Sequence, residues 1–227
     1  MSCIAVVIPA KDEGATIGAL LDGISNVTVP GCDLHPIVVD DGSADATAAI
    51  ARNRGATVVS HPANRGLGAA VRTGLRAAVA SDAVAVAYLD ADLEYAPEDL
   101  PKLLEPVLSG RADYVLGSRF RGGVRGMRAH RRVGNYAFTA LLVLLTRTKI
   151  TDGQTGMRAF SREAADRAEI VHDYNYAQVL TLDLLRKGFR LEEVPIRYSV
   201  REHGESFIRW SYPAKVLPAI WREMRNP

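Results

Sequence analysis

The sequence predicts an α/β protein built on a mostly parallel central sheet flanked by helices. Short β-rich apolar runs alternate with helical patterns through the first half of the chain, the order that gives parallel pairing. Runs such as "IAVVI" and "AVAVAYL" are apolar at every position, as strands are when both faces of their sheet are covered. Polar residues gather where these runs end, and open α/β sheets bind ligands at the carboxyl ends of their strands.

Strands are expected at 4–8, 36–40, 56–60, 83–89, 113–117, 156–160 and 193–198. Helices are expected near 15–25, 45–54, 67–81 and 97–108, between the early strands. The 227 residues fit one large domain. Its first half, 1–117, is regular. The half from 118 to 227 holds a basic stretch, an apolar helix at about 131–146 and an amphipathic tail at about 207–225.

Net charge is +2, so bulk charge points to no partner. Local charge does. From Gly117 to Thr151 there is no Asp or Glu, while Arg119, Arg121, Arg131 and Arg132 are among the basic residues. Such a segment attracts an anion. Without aromatic interleaving, a recognition helix or a zinc motif, nucleic acid is not the expected ligand. Cys3 and Cys32 fit neither a metal spacing nor a disulfide framework, which suits a reduced, cytoplasmic protein. The start "MSCIAVVIPAKDEG" lacks a basic region and a cleavage site, so no signal peptide is expected. The longest apolar run, "AFTALLVLLT", falls short of the roughly 20 residues of a spanning helix. The chain alone is not expected to cross a membrane. That apolar helix suits a core, a homodimer interface, or peripheral contact with the cytoplasmic membrane face.

"YLDADLE" ends the fourth strand with Asp90, Asp92 and Glu94. In extended chain these positions share a face, and three carboxylates there repel unless a cation lies between them. Mg2+ or Mn2+ suits such hard oxygen donors, with water and substrate phosphates completing the shell. "VVDDGSADAT" ends the second strand at Asp40, where an acceptor for a base N–H or ribose hydroxyl would be useful. Asp45 could cap the next helix. "NRGLGAAVRTG" holds half a dinucleotide fingerprint, but Val71 occupies the third glycine position, so these small residues are expected to serve helix packing. "SRFRGGVRGMRAHRR" reads as a mobile loop carrying guanidiniums suited to phosphate. "TDGQTGMRAF" puts Asp152 in a tight polar turn, and "VREHGESFIRW" puts Arg201, His203 and Arg209 in a loop.

Taken in order, "VVIPAKDEG", "VVDDGSADAT", "HPANRGLGAAVRTGL", "YLDADLEYAPEDLPKLL", "VLGSRF", "DGQTGMRAFSR" and "VPIRYSVREHGES" resemble the family 2 glycosyltransferases with the GT-A (Rossmann-like) fold. Within these the match is to the dolichyl-phosphate (polyprenyl-phosphate) mannosyltransferase and glucosyltransferase group. The resemblance implies a nucleotide-sugar-binding half at 1–117 and an acceptor-binding half, partly helical, at 118–227. It implies that Pro9, Lys11 and Glu13 form the first nucleotide loop, that Asp40 meets the nucleoside, and that Asp90, Ala91 and Asp92 hold the donor through the metal. Glu94 stands where the group usually has Gln, as a further metal ligand with one more negative charge. Arg119, with Arg131 or Arg132, is implied to bind phosphate, and Arg201 matches the arginine of the R-x-x-G-E-S-K segment. Phe207 replaces that segment's lysine, and Arg209 could compensate.

The implied reaction is inverting transfer of a hexose from a GDP- or UDP-linked sugar, with Mg2+ or Mn2+, to a polyprenyl phosphate. Such an acceptor is already ionised near neutral pH and needs no base. A soluble hydroxyl acceptor would need one, and Asp152 is then the candidate. A non-catalytic sugar-nucleotide-binding partner is the competing class, and the intact Asp90/Asp92 pair argues against it.

Overall fold

The computed structural model describes residues 1–124, 126–127, 129–173 and 177–200. Arg201, His203, Phe207, Arg209 and the expected tail at 207–225 lie outside the described residues.

The elements run β1 (Ser2–Ala10), α1 (Ile17–Ser25), β2 (Cys32–Asp40), α2 (Thr47–Asn53), β3 (Thr57–Ser60), α3 (Leu67–Ala80) and β4 (Ala85–Leu89). A 3-10 turn (Pro97–Asp99) leads into α4 (Leu100–Leu108), then β5 (Tyr114–Ser118), α5 (Arg119–Gly122) and α6 (Ala129–Thr146). The chain continues through β6 (Met157–Ser161), α7 (Arg162–Arg167), α8 (Ala177–Arg186) and β7 (Leu191–Pro195).

Seven strands form one sheet in the order β3-β2-β1-β4-β6-β5-β7. All pairings are parallel except those of β6, which lies antiparallel between β4 and β5. Alternation along β1 explains its unbroken apolarity. Ile4, Val6 and Ile8 join one core with residues of α1 and α4, while Ala5 and Val7 join a second core with α3, α7 and α8. Gly74 of α3 lies over Val7, where an added Cβ would meet a Val7 methyl at 2.2 Å. The small residues of "GLGAAVRTG" therefore serve close helix–sheet contact, as expected.

Several segments differ from the sequence reading: β2 starts at Cys32 rather than 36, α7 was not expected, and three further differences have a cause in the structure. Residues 119–122 form the short helix α5 rather than loop, because the Ser118 hydroxyl caps it by accepting from the Arg121 N–H. β7 begins and ends earlier than 193–198, because residues after Pro195 leave the sheet to pack along residues 93–99. α8 gave no periodic signal because Ala177 to Leu184 are buried all round, and a helix without a polar face shows no 3.6-residue alternation.

Candidate active site

β4 ends at Leu89, and Asp90 opens a turn in which Leu93 takes a left-handed φ of +60°. The three acids therefore do not share the face of a strand, as their alternation predicted. Asp90 turns inward and accepts a hydrogen bond from the Tyr88 hydroxyl. Its Oδ2 lies 1.7 Å from where a Cβ on Gly156 would be, so only a glycine lets the carboxylate sit there. Asp92 is half-buried, and its Oδ1 accepts the Glu94 N–H at 3.1 Å. Glu94 is buried and faces Arg131 at 3.4 Å.

Burial, and then the charge of Asp92, push the Asp90 carboxyl up to about 7, against the pull of the Tyr88 hydrogen bond and of Arg158. Burial and Asp92 also raise Glu94, which Arg131 and Arg119 oppose. A divalent cation would relieve this crowding. Among the described residues no three His, Cys, Asp or Glu side chains converge as a ligand set. Asp90 and Asp92 fit a Mg2+ or Mn2+ site with few protein ligands, the remainder being water and phosphate oxygen. Glu94, expected from the sequence as a further metal ligand, pairs with Arg131 at 3.4 Å.

Arg119 and Asp152 form the adjoining wall. The Asp152 side chain is fully buried, and that of Arg119 nearly so. Asp152 Oδ2 accepts from Arg119 Nε at 2.7 Å and from its N–H at 3.1 Å, and Oδ1 accepts from Nη2 at 2.8 Å. The loop carrying Asp152 is held by Glu193, which accepts from the Thr151 and Asp152 N–H groups at 2.9–3.0 Å. Both Asp152 oxygens are thus committed to a guanidinium. In this arrangement Asp152, the candidate base of the sequence reading, orients the Arg119 guanidinium.

Of the two further arginines considered for phosphate, only Arg131 reaches the acid turn. Arg132 points outward and lies over the Tyr136 ring at 5.8 Å.

On the nucleoside side, β1 and β2 pair in register so that Ala10 faces Asp40. Pro9 is buried. Lys11 pairs with Asp12 at 2.5 Å. Glu13 is buried, accepting from Thr16 Oγ1 at 2.8 Å, while its N–H donates to Thr47 Oγ1 at 2.9 Å. Asp40 is buried and accepts the Ser43 N–H at 3.1 Å. Asp45 lies one residue before the cap position of α2, yet accepts the Thr47 and Gly14 N–H groups, each at 2.9 Å. The loops after β1 and β2 are thereby tied together.

Several residues of the site carried no clear sequence signal. Asp41 accepts from His61 Nδ1 at 2.7 Å and from the Arg65 and Gly66 N–H groups at 2.8 Å, holding the loop after β3 against β2. Arg158 is fully buried in β6 beside Tyr88, its register partner, and donates to the Thr155 and Gly153 carbonyls. Tyr95 accepts the Gly156 N–H at 2.7 Å and so fixes the start of β6 beside Asp90. Tyr198 bridges back to Tyr95 from a segment 103 residues later in the chain, by number. Only a sheet topology, with β6 antiparallel, brings these positions together.

A family model described as glycosyl transferase family 2 matches residues 5–168. A dolichyl-phosphate hexose transferase of Haloferax volcanii is 34% identical over 198 residues, covering 87% of this chain and 83% of that protein. A UDP-N-acetylglucosamine–dolichyl-phosphate N-acetylglucosaminyltransferase of Methanococcus voltae is 31% identical over 223 residues, covering 88% and 87%. Among solved structures, glucosyl-3-phosphoglycerate synthase from Mycobacterium tuberculosis, in complex with Mn2+, UDP and glucosyl-3-phosphoglycerate, superposes with a TM-score of 0.79 at 25% identity, covering 100% of this chain and 81% of that one. With its parallel sheet, its acid turn after β4 and this match over most of its length, the chain belongs to glycosyl transferase family 2 and is a glycosyltransferase of the GT-A fold.

Proposed function

We propose that the protein moves a hexose, mannose or glucose, from a nucleoside-diphosphate sugar to a polyprenyl (dolichyl-type) phosphate, with inversion at the anomeric carbon. The observation that carries this reading is the Arg119–Asp152 lock. It leaves the one carboxylate considered as a base bound to a guanidinium, which suits an acceptor that arrives already ionised. Relatives named for dolichyl phosphate support the same acceptor.

Asp90 and Asp92 would hold Mg2+ or Mn2+, which supplies Lewis-acid neutralisation of the charge developing on the leaving diphosphate. Arg131, beside Glu94, brings positive charge to the same edge for a phosphate oxygen. Arg119 and Asp152 form a net-neutral pair whose guanidinium end acts on Glu94. Asp40 and the loop of Pro9, Lys11 and Glu13 would receive the nucleoside. α6 exposes Val133, Tyr136 and Leu144, with Arg132 and Arg147 also exposed towards its ends, an arrangement that can lie against lipid. Among the described residues no helix is long and apolar enough to cross a membrane.

A soluble acceptor is the second reading, favoured by the mycobacterial neighbour that holds glucosyl-3-phosphoglycerate. The deciding experiment screens GDP- and UDP-sugars for thermal stabilisation with Mn2+. It then offers the best donor to farnesyl phosphate and to phosphoglycerate. Sugar transfer to farnesyl phosphate is expected, and transfer to phosphoglycerate alone would sink the lipid reading.

Gly156→Ala tests the acid turn. The new methyl must displace the Asp90 carboxylate, and misplacing a reacting group by about 1 Å can cost roughly 100-fold. Mn2+-dependent turnover is expected to fall on that scale, with a higher Mn2+ requirement. Unchanged Mn2+ dependence would show that Asp90 does not serve the metal.

A further inference from the structure

The segment leaving β7 is laced to the acid turn by four contacts. The Arg197 N–H donates to buried Asp99 Oδ2 at 2.6 Å. The Ser199 N–H donates to the Glu94 carbonyl, and its hydroxyl to the Leu93 carbonyl, each at 3.0 Å. Tyr95 and Tyr198 form an antiparallel bridge, their rings packed edge to face with centroids 6.1 Å apart. These contacts leave Tyr198 little freedom, and they place the Arg119 guanidinium 5.5 Å from its ring centre.

The Tyr198 side chain has a built position but an unfinished hydrogen bond. The residue is 8% exposed, and its hydroxyl has no hydrogen-bond partner among the described residues. Buried hydroxyls are paired in the great majority of cases, because leaving one unpaired forfeits the solvation it had in water. Among the described residues, Glu94, Arg131, Arg119 and Asp92 act on this phenol, the same groups that frame the acid turn. A phenol presented beside two arginines and two carboxylates can complete its bond with an anionic oxygen that the arginines also attract.

We propose that Tyr198 is a phosphate-contact residue, its hydroxyl donating to a non-bridging oxygen of a phosphoryl group held between the acid turn and Arg131. The inference rests on the proposed glycosyl transfer only in expecting a phosphoryl group at this edge. That group can belong to the donor diphosphate or to the acceptor monophosphate. The hydrogen bond to an anion would be worth about 10- to 100-fold in affinity.

The test is Tyr198→Phe in the full chain, which keeps the ring against Tyr95 and Arg119 and removes only the hydroxyl. Melting temperature is measured without ligand. Titration calorimetry then follows binding of inorganic pyrophosphate with Mn2+, and of farnesyl phosphate. The expected result is an unchanged or raised ligand-free melting temperature, with one probe bound about 10- to 100-fold more weakly. Loss on pyrophosphate assigns the contact to the donor, and loss on farnesyl phosphate assigns it to the acceptor. Wild-type affinity for both probes, or no binding of either by the wild type, overturns the proposal. So does a melting temperature that drops with binding unchanged, which would assign the hydroxyl to a bond within the chain. If the variant loses pyrophosphate affinity while the wild type transfers no sugar to farnesyl phosphate, the acceptor reading fails and the Tyr198 contact stands.

Discussion

Asp90→Asn is expected to lower Mn2+-dependent transfer by about 100-fold or more while making the metal-free protein more stable at pH 8. The first effect follows from removing the proposed hard anionic ligand, whose metal would supply several kcal/mol of transition-state stabilisation. The second follows from linkage. In the folded protein the Asp90 carboxyl sits at about 7, above its unfolded value of about 3.9. The folded state therefore binds the proton more tightly. Its stability contribution is full below about pH 4 and is lost as pH rises to about 7, so metal-free stability falls across that window. The loss is on the order of 2–4 kcal/mol. Asparagine keeps the shape and never ionises, so the variant should not show the fall. In the wild type Mn2+ competes with this proton, and stabilisation by Mn2+ should grow between pH 5.5 and pH 7.5. Thermal melts with and without Mn2+ across that range provide the check. A variant that is less stable than wild type at pH 8 without metal would contradict the electrostatic account.

Asp152→Asn is expected to lower the melting temperature by roughly 6–20 °C. Removing one partner of a buried ion pair costs about 3–5 kcal/mol, and a protein of this size shifts by about 2–4 °C per kcal/mol. The uncharged amide leaves Arg119 buried without a counter-charge at the position where two carboxylate oxygens now meet it. At a temperature where the variant stays folded, turnover on a phosphate acceptor should fall far less than the 100- to 10,000-fold associated with loss of a general base. Raising the pH should not restore it. A variant with wild-type stability and a turnover loss of that larger size would return Asp152 to the catalytic base that the sequence alone allowed.

Much of the fold was legible because local and global signals agreed. β1 and β4 are apolar on both faces, and α1, α3 and α4 fall close to where their periodicity and turn residues place them. The position of Asp90 and Asp92 past the end of β4 was legible for the same reason. Other features depended on tertiary context. α8 hides all its faces, so periodicity was silent. The capping of α5 by Ser118 depends on a hydroxyl whose orientation is also set by Thr151, 33 residues away, at 2.7 Å. Acid alternation at 90, 92 and 94 read as a shared strand face, but the left-handed Leu93 redirects the chain and hands Glu94 to Arg131. The sequence shows Asp152 as a carboxylate in a polar turn, and cannot show that Arg119 pairs with it.

The placement of β6 also bears on how the chain can fold. β4 has β1 on one side and β6 on the other, while β5 pairs only with β6 and β7. A fragment ending at Gly117 would leave β5 with no sheet partner and open the edge of β4 along the fully buried stretch from Ala85 to Leu89. Such an edge invites intermolecular strand addition. The first 117 residues, regular as they are, should aggregate when made alone, and recover solubility only when residues 118–200 are supplied to close the sheet.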